Sequence, residues 1–230
     1  MSAEVDEQAV VDAALPHLPI FPLPSSALIP GGHLPLHIFE PRYREMIADV
    51  LAEDRVLAVA LLAPGWETEY QGRPPVYSIV GAGYVQAAER LADGRYNILL
   101  HGVRRARVLE ELEVGKSYRV VRTEPVADVL SAPERPILEA QSQTLRQLVL
   151  DLAAALPDNA AVPLAEACVR ERDPGKLADL VGAAVLVDHR QRQEFLEEFA
   201  VARRLDQVSD TVAQVLLQVS GGAGGGGYLM

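Results

Sequence analysis

The chain has 230 residues, enough to bury a sizeable core in one large domain or two small ones. Its formal net charge of −11 and pI near 4.9 argue against a nucleic-acid partner, which needs a basic footprint for phosphates. One cysteine, Cys168, excludes an intrachain disulfide and a thiolate cluster, and no apolar run approaches the ~18 residues of a membrane helix.

Residues 1–16 begin acidic, with no basic segment ahead of an apolar run, so no secretory signal is expected and the chain reads as cytoplasmic. Val5, Ala9, Val10, Ala13 and Ala14 recur at helical spacing there. Residues 18–44 carry six prolines and two glycines among bulky apolar residues. Proline fixes φ and lacks a donor, so the reading is short extended pieces joined by turns, with a sharp turn at Gly31-Gly32. Pro41 suits the first turn of a helix running to about Glu53, with Tyr43, Met46, Ile47 and Val50 on one face.

The next stretch is β in character. Arg55–Leu62 is a compact apolar run closed by Pro64-Gly65, the pattern of a central strand. Residues 67–75 read as a polar loop, and Val76–Val85 and Val85–Leu91 as strands. Asp93-Gly94 marks a hairpin into Arg95–His101. Gly102 is expected to break that strand, which resumes through Arg104, Ala106, Val108 and Leu109, and Lys116–Thr123 adds another. Short strands, hairpin turns and no βαβ rhythm predict a small closed or half-closed β-barrel over 1–125.

After Pro125 the period changes. A linker over 126–136 leads into helical spacing over Ile137–Leu156, with further helices near Pro163, at Asp173-Pro174, over His189–Phe199 and over Val201–Val219. Residues 126–220 therefore predict a helical bundle. Residues 221–230 predict a flexible, glycine-rich tail.

The search for chemistry returns scaffold. His33, His37 and Glu40 share a neighbourhood, but Pro35 forbids the helix that would gather three metal ligands. Ser117 and Lys116 are strand neighbours pointing to opposite faces, unsuited to a nucleophile–base pair. Cys168 reads as a buried, inert thiol. Gly81-Ala-Gly83 lacks the context of a dinucleotide site. Arg104, Arg105 and Arg107 read as a solvated strand face, within reach of Glu110 or Glu113. Glu40 is expected to accept backbone N–H groups at the helix start. No catalytic residue, cofactor site or metal site emerges.

The segment Leu18–Tyr43, above all Pro35-Leu-His-Ile-Phe-Glu-Pro-Arg-Tyr43, resembles the opening of the Lon N-terminal, or substrate-binding, domain family. Gly94–Glu110 is similar to its second signature and Asp173–Leu180 to a helix start in its C-terminal bundle, so the likeness runs over roughly residues 15–215. The resemblance implies an α+β fold, a PUA-like barrel followed by a helical bundle. It also implies signature residues that build the scaffold: Pro35, His37, Phe39, Glu40, Pro41, Arg42 and Tyr43 in the first signature, Gly94, Tyr96, Gly102 and Arg107 in the second. The chain ends before an ATPase or Ser–Lys peptidase module would begin, so the expectation is a stand-alone, non-catalytic bacterial protein. It would bind unfolded or exposed apolar protein segments on the barrel or in the crease beside the bundle, with Leu28, Ile29 and Trp66 as the docking surface. A separate ATP-dependent protease, or a second copy of the chain through self-association, is the further partner; nucleic acid and membrane are not.

Overall fold

The computed structural model describes residues 5–68, 72–130 and 135–222. The α+β class holds. The chain divides into two compact units, one formed by 1–127 with 188–197 and the other by 128–187 with 198–230.

The first unit opens with α1 (Glu7–Ala14), whose first turn is capped by the Asp6 carboxylate accepting from Ala9 N–H at 3.1 Å. Strands β1 (Leu18–Leu23), β2 (His33–Ile38), β3 (Val56–Leu61), β4 (Ile79–Arg90), β5 (Tyr96–Leu112) and β6 (Arg119–Pro125) follow, with α2 (Pro41–Ala52) between β2 and β3. The strand order is β2-β5-β4-β3-β1-β6, and β5 also pairs with β6. Five strands thus close into a ring, and β2 lies outside it, against the first half of β5. The expected barrel is a ring with one strand appended.

Sequence pattern explains each strand's place. All six residues of β3 are buried. Leu57 and Val59 enter one apolar cluster with α2, while Val56, Ala58 and Ala60 enter a second with α1, as the unbroken apolar run predicts. The two pieces expected over 76–91 are one strand, β4, in which Gln86 is an extra residue between the pairs Val85–Leu100 and Ala87–Leu99. Gly102 does not end β5 either. A second irregularity there makes Val103 the extra residue opposite β4, and the strand bends without stopping.

Pro41 occupies the first turn of α2, as predicted, but Glu40 makes no side-chain cap. Its carboxylate instead accepts from Arg42, whose Nε lies 3.1 Å and Nη2 3.0 Å away. The reason is proximity: the guanidinium two residues on offers a charged donor that outcompetes the backbone amides.

Helix α6 (His189–Glu197) belongs to this first unit, not to the bundle where its position in the chain placed it. Arg105 is buried and donates through Nε to Leu196 O at 3.1 Å, gripping the last carbonyls of α6. Gln193 Nε2 donates to Ile79 O and Arg192 Nε to Ala27 O, both at 3.0 Å. The Arg104–Arg107 stretch is therefore not a solvated face. Arg104 forms a forked ion pair with Asp12, and Arg107 pairs with Glu124 at 3.6 Å.

The second unit contains α3 (Arg135–Ala155), α4 (Val162–Arg170), α5 (Pro174–Val185) and α7 (Val201–Gly222). Asp173 caps α5 by accepting from Lys176 N–H at 2.8 Å, with Pro174 in the first turn, as the sequence indicated. Leu145, Val149, Leu177, Val181, Leu205, Val208 and Val212 form its buried faces. Arg204 is wholly buried, held by both oxygens of Asp128 at 2.8 Å and by Asp179 at 3.3 Å. Parts of the expected loop 67–75, linker 126–136 and tail 221–230 lie outside the described residues. Among the described residues, no helix is long and apolar enough to cross a membrane.

Candidate functional site

The pairing of β2 with β5 brings the two sequence signatures together: His37 sits opposite Asn97 and Ile38 opposite Tyr96. His37 Nδ1 lies 2.8 Å from Asn97 Oδ1 and its Nε2 3.1 Å from Arg95 Nη1. Asn97 Nδ2 donates on to Glu89, and Arg95 Nε to Asp93 at 2.7 Å. A polar ladder thus runs across the outer face of β2, β5 and β4, with His37 donating through Nδ1 and accepting at Nε2. His33 takes a different partner, Gln86, and stacks on His101 at 4.8 Å. His101 in turn meets Glu7 at 2.5 Å, docking α1. Among the described residues no group of three His, Cys, Asp or Glu side chains is placed to hold a metal ion.

On β2 itself, His33, Pro35 and His37 are exposed, and its one described strand partner is β5. Pro35 can sit there because an edge strand does not need every N–H. Immediately beyond, Phe39 is 61% exposed, its ring 6.4 Å from that of His37. Arg42 then stacks over Tyr43 at 4.6 Å, and Tyr43 packs on Phe21 at 4.5 Å in the core. Gly94, at φ +82°, supplies the tight turn that Asp93 caps by accepting from Arg95 N–H. Tyr96 is buried in the core cluster.

Leu28 and Ile29 are not on a docking surface. They are 1% and 0% exposed, because the loop that carries them lies directly on β4 and β5. A Cβ at Gly81 would fall 1.9 Å from Leu28 O, and one at Gly102 would fall 2.3 Å from Ile29 O. The Gly81-x-Gly83 spacing and Gly102 therefore mark a close backbone approach. Trp66 opens a short 3₁₀ turn, Trp66–Thr68, and is half-buried.

Beside the first turn of α2 lies a cavity of about 290 Å³, lined by Arg42, Tyr43, Arg73, Lys116, Tyr118 and Arg119 among others. Carboxylates hold these cations in place. Glu111 receives Arg119 at 3.0 Å and Arg73 at 3.6 Å, and Asp49 receives Lys116 Nζ and the Tyr118 hydroxyl, each at 2.9 Å. Those two donors hold the Asp49 carboxyl below its ordinary range. Burial, then the Asp49 contact, pushes the Tyr118 phenol up. Ser117 donates to Glu45 at 2.6 Å, so Ser117 and Lys116 serve separate carboxylates. In the second unit, a shallow groove between α3 and α7 is lined by Ile137, Ala140, Leu148, Asp206 and Asp210.

Local sequence reasoning found extended backbone at β2 and the helix start at Pro41, but not that β2 is an edge. It missed the basic cavity, whose residues lie far apart in the chain and share no spacing that would betray it.

Comparison with known proteins followed the same residues. The family model for the ATP-dependent protease La (LON) substrate-binding domain matches residues 17–214. Lon protease 2 of Myxococcus xanthus is 29% identical over 193 residues, 83% of this chain and 23% of that protein. Lon protease of Anaeromyxobacter dehalogenans (strain 2CP-C) is 30% identical over 193 residues, covering 83% of the chain and 22% of the relative. The chain thus spans under a quarter of the length of these relatives. Among solved structures, the N-terminal domain of Mycobacterium avium complex Lon protease matches with a TM-score of 0.65 at 22% identity, over 86% of this chain and 98% of that one. A Lon N-terminal domain protein from Xanthomonas campestris gives 0.55 at 20% identity, over 84% and 96%. At those identities the two structures speak for the fold alone.

Proposed function

Because the chain belongs to the ATP-dependent protease La (LON) substrate-binding domain family, we propose that it recognises protein segments without catalysing a reaction on them, receiving an unfolded stretch along the open edge of β2. The observation that carries this reading is the edge itself. β2 stands outside the closed ring, its exposed residues alternate along the strand, and the exposed Phe39 follows directly after it. An extended segment can add to such an edge through its own backbone, which makes recognition tolerant of sequence, while an apolar side chain packs on Phe39. Pro35 removes one donor from the edge and so limits indiscriminate pairing. In this reading the bound segment is passed to an ATP-dependent protease, on the same chain or a separate one.

The test is a titration of a fluorescein-labelled, carboxymethylated unfolded polypeptide against the wild type and Phe39→Asp. Micromolar binding that weakens at least tenfold in the variant, with its melting temperature unchanged, is the expected result. No binding at high micromolar protein, or equal binding by the variant, overturns the reading. A second copy of the chain is the alternative occupant, since an antiparallel edge can pair with itself; a mass by light scattering that doubles with concentration and is lost in Phe39→Asp favours it.

A further inference from the structure

We infer that the cavity beside the first turn of α2 is an oxyanion-recognition pocket that takes the terminal carboxylate of a bound polypeptide. The inference rests on the polypeptide-binding reading above and names the chemistry such a segment must carry.

The chain has 21 Lys and Arg against 32 Asp and Glu, yet four of those cations converge on one opening. Arg42 comes from α2, Arg73 from the loop before β4, Lys116 from the loop before β6, and Arg119 from β6 itself. No carboxylate is among the described residues that line it. The acids stand behind: Glu40 on Arg42, Glu111 on both Arg73 and Arg119, Asp49 on Lys116, with Glu45 taken up by Ser117. Three carboxylates therefore hold four cations, and they fix the heads in place as a preorganised site requires. Arg119 spends its Nη1 on Pro74 O at 2.7 Å and its Nε and Nη2 on Glu111, so the donors for an incoming oxyanion come chiefly from Arg73, whose five-donor fork meets Glu111 only through Nη1 at 3.6 Å.

Size and mobility narrow the ligand. At about 290 Å³ the cavity is at the small end of ligand pockets and fits the last residue of a chain. Tyr43 and Tyr118 supply apolar wall for that residue's side chain. Arg73 is the loosest cation, with its side chain 62% exposed and its ion pair long at 3.6 Å, so it can swing to a new carboxylate at little cost to the fold. Capture of a terminal carboxylate is a recurrent mode of peptide recognition.

The experiment uses two fluorescein-labelled apolar peptides of one sequence, one ending in a free carboxylate and one amidated. Each is titrated against the full chain and against Arg73→Glu, whose fold is checked by its melting temperature. The free-acid peptide is expected to bind about tenfold more tightly than its amide. Arg73→Glu should abolish that difference and leave the amide's affinity unchanged. Equal affinities for the two peptides overturn the pocket but leave the polypeptide-binding reading standing. If neither peptide binds, the broader reading falls and the pocket with it. Inorganic phosphate forms the last arm: millimolar phosphate that displaces the free acid and not the amide agrees with the inference, and phosphate that displaces both alike overturns it. Phosphate binding at the pocket combined with equal peptide affinities assigns it to a free anion and overturns the proposal.

Discussion

Gly102 joins two backbones that leave no room for a side chain. Its N–H donates to Gly32 O at 2.8 Å and its carbonyl accepts from Gly31 N–H at 2.7 Å. A methyl group there would stand 2.3 Å from Ile29 O, so Gly102→Ala must either break both hydrogen bonds or lift the loop that buries Leu28 and Ile29. We expect a loss of about 3 kcal/mol, read as a lower urea midpoint; an unchanged midpoint would show that the loop yields freely. Arg204 poses the opposite problem, a wholly buried charge facing Asp128 and Asp179. Arg204→Met leaves the buried Asp179 carboxylate without this cation, beside a partly exposed Asp128, and should cost about 3 kcal/mol. Asp179→Asn added to Arg204→Met should recover part of that loss, and a double variant no more stable than the single would contradict the account.

Elements announced themselves when their signals were local. Pro41 and Asp173-Pro174 set helix starts that the structure keeps, because a fixed φ and a carboxylate cap act within one turn. The membership of α6 was not local. Its own apolar pattern predicts a helix over His189–Phe199 but not a neighbour, and the residue that decides, Arg105, lies some ninety positions earlier in the chain. The edge at β2 was half legible: its prolines marked extended backbone, while the closure of β5 on β6 that leaves β2 outside depends on pairings between distant segments. The apolar loop at Leu28 and Ile29 was misread as surface, although Gly81, Gly83 and Gly102 recorded the close approach that buries it. The basic cavity left no trace in any single stretch. If Arg105 anchors α6, Arg105→Ala removes the donor from the helix's last turn and leaves buried carbonyls unsatisfied. A loss of about 2 kcal/mol is expected, with faster amide hydrogen exchange across 189–197 than across α2. Uniform protection in both helices would assign the anchoring to other contacts.

Across the whole molecule, the shifted groups set the pH range of stability. Asp49, Asp93 and Asp188 are held below their ordinary 3.8 by hydrogen bonds, from the Lys116 side chain to Asp49, from the Arg95 backbone to Asp93 and from the Gln191 backbone to Asp188. The contribution of these carboxylates is present above pH ~4 and lost as pH falls through their lower folded values. On the alkaline side the sign reverses. Burial pushes the Cys168 thiol from its ordinary 9.0 up to about 11, so the unfolded chain ionises first. Stability from that thiol is whole below pH ~9 and declines until about pH 11, a change of about 3 kcal/mol at most. Tyr118 and Lys116, both raised, add loss in the same direction at higher pH. The chain holds one tryptophan and one cysteine, and they fall in different units. Trp66 emission therefore follows the strand-bearing unit, and alkylation of Cys168 by iodoacetamide follows the helical one. Burial keeps the native thiol largely protonated at pH 8, so alkylation should be slow until urea opens the bundle. Between pH 9 and 11 the urea midpoint read from the thiol should fall, and the midpoint read by circular dichroism should fall less steeply in Cys168→Ala. Rapid alkylation without denaturant, or parallel pH slopes in the two proteins, would show that Cys168 is not the buried, protonated thiol of α4.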